Sequence, residues 1–114
     1  MALNEFFLKL PKWNVEAETG YKPLTTFWQD FSIADTLGIK AIRDTYQRAF
    51  NEWKSYYKYL AELVMVLNHK IWQHYDAKNY ILSSLYDELW READIWAGEN
   101  LKGEEAEYYY RILD

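Results

Sequence analysis

The chain has 114 residues, a net charge of −5 and no cysteine. That length suits a single domain with a core of its own, without metal or disulfide help, and the missing thiols exclude a disulfide framework or a thiolate metal site. The charge falls late: from residue 79 onward nine acids stand against three bases, leaving residues 1–78 near +1, which repels phosphate and argues against direct nucleic-acid binding.

Residues 1–24 are the least regular stretch. Pro11, Gly20 and Pro23 interrupt every helical period. They read as an irregular strap laid over the core by Trp13, Val15 and Tyr21. The start, Met1 to Pro11, lacks a basic segment and carries Glu5 where an export signal is apolar, so no such signal is read. A cytoplasmic location fits that and the lack of cysteine.

From residue 25 to 114 the pattern is helical. Thr25 or Thr26 can cap a first short helix ending at Leu37. Phe27, Phe31 and Ala34 form its apolar side, and Gly38 supplies a left-handed ending. Ile39 to about Tyr56 reads as a long helix with Ile42, Tyr46, Ala49, Phe50 and Trp53 on one face. On another face Lys40, Asp44, Arg48 and Glu52 alternate in sign at steps of four, a solvated row. No glycine or proline marks the next break, so a continuous kinked helix is also open.

The stretch Tyr59 to Tyr75 organises the rest. Leu63, Val64, Leu67 and Ile71 follow Leu60 at helical spacings. Met65, Val66 and Trp72 lie on other sides, so the helix is apolar around much of its girth and needs neighbours on several faces. Its longest apolar run, Leu63 to Leu67, is too short to span a bilayer. Asn79 opens a further helix with Ile81, Leu82, Leu85, Leu89 and Ala93 turned inward, and Asp87 stands four before Arg91. Gly98 and Gly103 bracket its end. Glu104, Glu105 and Glu107 open a last short helix, where acids suit the positive terminus. Its Tyr108, Tyr109 and Tyr110 cannot all face one way, so at least one ring is exposed. The fold expected is an all-α bundle of about three principal helices, with short flanking helices and the N-terminal strap.

No catalytic constellation is evident. His69 and His74 are five apart and diverge on a helix, unlike a zinc pair at four. The neighbouring carboxylates Asp87–Glu88 and Glu104–Glu105 diverge too and read as solvated. Catalytic, cofactor and metal residues are therefore expected to be none. The tryptophans are more informative. Trp53 and Trp96 lie on apolar stripes, whereas Trp28, Trp72 and Trp90 fall at or beyond their edges. Exposed aromatics anchor protein interfaces. Some of Trp28, Trp72, Trp90 and Tyr108 to Tyr110 are expected to form a contact patch, and exposed aromatics framed by acids, here Asp87, Glu104, Glu105 and Glu107, suit a protein partner with a basic surface. The bland alternative is that a small bundle needs wide side chains on several faces.

The segments Thr25–Asp35, Asp44–Phe50, Glu62–Trp72 and Asn100–Glu105 resemble a family of short helical proteins carried on plasmids and conjugative elements of Gram-positive bacteria. The likeness covers about residues 24–107, and Arg111 to Asp114 depart from the family's ending. The family offers no catalytic motif to carry over. Small acidic proteins of such elements include anti-CRISPR inhibitors, and the resemblance implies a non-enzymatic inhibitor that blocks a CRISPR effector nuclease. The alternative is a homo-oligomeric structural or accessory module of a conjugative element. A third reading, a hydrolase assembled in space, requires a buried pocket with a histidine and a carboxylate in contact.

Overall fold

The computed structural model describes residues 24–113, with side chains from Phe27 onward. Five helices follow in order: α1 (Leu24–Leu37), α2 (Ile39–Trp53), α3 (Tyr57–Asp76), α4 (Tyr80–Asn100) and α5 (Glu104–Leu113). The described residues contain no strand, as the periodicity predicts. Their lengths, 14, 15, 20, 21 and 10 residues, do not divide into three principal helices and short flankers, since α1 nearly equals α2. Thr25 and Thr26 fall inside α1. The strap expected over residues 1–24 lies outside the described residues except for Leu24.

α3 is the hub and packs against all four other helices. Tyr59, Leu60, Ala61, Leu63, Val64, Val66 and Leu67 are completely buried. A helix apolar around its girth gains most by such all-round cover, at roughly 1.5–3 kcal/mol for each large apolar side chain buried. α1 and α2 meet at a sharp corner at Gly38, whose φ of 113° is favoured by glycine. α3 and α4 form a hairpin closed by backbone bonds from Lys78 N to Tyr75 O, 2.9 Å, and Asn79 N to His74 O, 2.8 Å. Asn79 then caps α4 by accepting from Leu82 N at 3.3 Å.

The α2–α3 break differs from expectation. α2 stops at Trp53, not Tyr56, and Tyr56 is extended. Aromatic packing supplies the missing cause. Trp53 stacks on Tyr59 at 4.5 Å between centroids. Phe27 stands edge-on to both, at 6.0 Å from each. One straight helix would hold Trp53 and Tyr59 six residues apart, about 9 Å along the axis, too far to stack. α4 runs through Gly98 and ends at Asn100, so its end falls between Gly98 and Gly103 as expected.

Candidate functional site

α5 is where the expected acidic and aromatic residues meet. Gly103, with φ 59°, turns the chain into the helix. Glu104, Glu105 and Glu107 occupy its first turn and are exposed, where the unpaired amides favour negative charge. Tyr109 sets the rotation of α5. It is completely buried, and its hydroxyl donates to Asp94 Oδ1 of α4 at 2.7 Å. Burial first, then the bond and the charge of Asp94, raise its pKa. Tyr109 is thereby withdrawn from the expected contact surface: it is a core anchor. With that ring inward, Tyr110 turns to solvent and Tyr108 to the seam with α3.

In that seam lies a cavity of about 280 Å³, lined among the described residues by Tyr57, Glu104, Glu107, Tyr108 and Arg111. Tyr57 and Tyr108 meet edge to face at 5.3 Å. Lys58 Nζ and the Arg111 guanidinium each lie 5.8 Å from the Tyr108 ring centre. Two carboxylates and two tyrosine rings around one depression have the chemistry to receive a cationic side chain. Lys58 and Arg111 show that cations are tolerated against the same ring.

The other expected contact residues lie elsewhere. Asp87, on α4, receives Arg91 Nε at 2.8 Å, so its charge is met locally. Trp90 is half-buried against the core. Trp28, also half-buried, lies beneath Lys70, whose Nζ is 4.4 Å from the ring centre. Trp72 is exposed on α3, but fifteen residues beyond Tyr57, or roughly 22 Å along the helix. The ten residues therefore do not form one patch. Glu104, Glu107 and Tyr108 share a cavity, with Glu105 on the same turn.

A polar cluster that the sequence reading missed joins α1, α3 and α4. Lys70, completely buried, donates to Ser32 Oγ at 3.0 Å and to Asp35 Oδ2 at 2.9 Å. Tyr86 donates its hydroxyl to Asp35 Oδ1 at 2.5 Å. His74 stacks on Tyr86, and its Nε2 is 3.0 Å from Asp35 Oδ2, at ion-pair distance but without hydrogen-bond alignment. Burial pulls the Lys70 pKa down, outweighing the opposing pull of Asp35. The histidine–carboxylate contact required by the hydrolase reading is thus present, but the described cavities lie away from it. The signal was in the sequence: Lys70 and His74 continue the stripe through Leu63 and Leu67 at steps of three and four. A charge on a buried face calls for a partner.

Glu62 is a second buried titratable group. It is 6% exposed, its Oε2 has no hydrogen-bond partner, and burial pushes its pKa up to about 8. Among the described residues no three histidines or carboxylates come together as a metal site. No described helix is long and apolar enough to cross a membrane. No protein-family model matches the chain, and comparison with curated proteins and with solved structures found no match.

Proposed function

We propose that the protein is a non-enzymatic, protein-binding inhibitor acting in the cytoplasm, and specifically an anti-CRISPR protein of a mobile genetic element. It covers a basic, nucleic-acid-binding surface of a CRISPR effector nuclease. Glu104, Glu105 and Glu107 stand in for phosphates, and Tyr108 packs against the stem of an incoming lysine or arginine. The observation that supports this is the cavity between α3 and α5, in which two carboxylates and two tyrosine rings converge beside Arg111. The unbalanced acids of residues 79–114 give the long-range attraction for such a surface.

The test is cleavage of target DNA by purified CRISPR effector nucleases from Gram-positive bacteria, each incubated with excess protein. At least one nuclease should be blocked, and the triple variant E104K/E105K/E107K should lose the block. Full cleavage across the panel, or equal inhibition by the triple variant, contradicts the proposal.

A further inference from the structure

The seam between α1 and α2 carries a second surface. Two depressions lie along it, of about 180 and 20 Å³, and Asp30 of α1 and Thr45 and Arg48 of α2 line both. The shared walls make them one trough. It runs from Leu37 and Ala41, beside the Gly38 corner, to Phe27 and Trp53, ten residues of α1 or roughly 15 Å. Its rim on α1 is apolar: Ile33 and Leu37, one helical turn apart, are 61% and 73% exposed. Three polar groups in the trough lack partners. Thr45 is nine-tenths buried, at 9% exposure, and its hydroxyl makes no hydrogen bond among the described residues. Asp30 and Arg48 reach the same depressions from opposite helices, yet neither forms an ion pair among the described residues. The neighbouring Lys40 and Arg43 both do, with Asp44 and Glu88.

These features select a helix as the occupant. The larger depression, about 180 Å³, is below the roughly 300 Å³ that encloses a small ligand. An extended peptide requires partners for its amides, and the helices that wall the trough have bonded theirs internally. A helix brings its own backbone bonds. It lays apolar residues, at steps of three and four, onto Ile33, Leu37 and Ala41, and presents one flank to each wall. Asp30 on one wall then calls for a base, and Arg48 on the other for an acid, as at the flanks of a coiled coil.

We infer that the α1–α2 trough docks an amphipathic helix of a partner protein, with a basic residue on the flank facing Asp30 and an acidic residue on the flank facing Arg48. The inference does not depend on what the α3–α5 cavity binds. Fluorescence anisotropy with the full chain and two labelled peptides of about fifteen residues, long enough to cross the trough as helices, tests it. Both peptides carry leucines at steps of three and four. One has lysines on one flank and glutamates on the other; the second has glutamates on both. The native chain should bind the mixed peptide about fivefold more tightly, since the second peptide trades an exposed attraction for a repulsion. Asp30→Lys should reverse that preference. I33E/L37E should bind neither peptide, with unchanged helical circular dichroism. Ile95→Glu, at an exposed apolar residue of α4, should bind as the native chain does. No binding at millimolar peptide overturns the inference. So do equal affinities for the two peptides, binding that survives I33E/L37E, or a native chain whose mass doubles in solution through this seam, with a second copy holding the trough.

Discussion

Glu62 makes the residue scale testable by pH alone. Its carboxyl is buried without a partner for Oε2, and its pKa rises from an ordinary 4.5 to about 8. A carboxyl whose folded pKa is raised favours the protonated native state. Its contribution is full below pH 4.5 and is lost as pH climbs through 8. Glu62→Gln keeps the shape and removes the titration. Thermal melts should find the variant close to the native chain at pH 4 and more stable by a few kcal/mol at pH 9. Equal pH slopes for the two proteins would contradict this. Gly38 offers a second check. A Cβ there meets nothing within 4 Å, so crowding is no obstacle, but φ 113° is strained for any other residue. Gly38→Ala should cost about 1–3 kcal/mol in urea unfolding; no loss would show the corner relaxing.

At the scale of elements, the Asp35–Lys70 pair ties α1 to α3, and Tyr86 ties α4 to both. Removing Asp35 leaves a buried ammonium without its counter-ion, a loss of about 3–5 kcal/mol. Asp35→Asn should therefore destabilise strongly, and D35N/K70M should recover much of the loss in a double-mutant cycle. Additive effects would mean that the two groups act independently. The helices themselves were legible, because α3 shows its apolar girth and Gly38, Asn79 and Gly103 punctuate the chain. Partnerships were not. Asp35 and Lys70 are 35 residues apart, and no local pattern pairs them. The end of α2 escaped for the same reason: Trp53 stacks on Tyr59 across the break, and Phe27 of α1 packs against both. The three tyrosines of α5 were readable as a set, but which one turns inward depends on Asp94 of α4.

Across the whole molecule, Glu99, Glu104, Glu105 and Glu107 lie at one end of the α3–α4 hairpin and the Trp72, Tyr75 and Tyr80 rings at the other. The acidic excess was countable in the sequence, whereas the placing of Glu104 and Glu107 at a cavity required α5 to fold back onto Tyr57. The candidate contact residues came from both ends, because spacing along a chain says little about which end of a bundle a side chain reaches. The acidic end is the one that the proposed inhibition uses, and electrostatic attraction has a signature that packing lacks. Binding between the protein and an inhibited effector nuclease, titrated from low to high salt, is the most direct test. The affinity of the native chain should fall steeply as salt rises, and E104K/E105K/E107K should bind too weakly to measure at any salt. A native affinity indifferent to salt, with the triple variant binding equally well, would contradict the account.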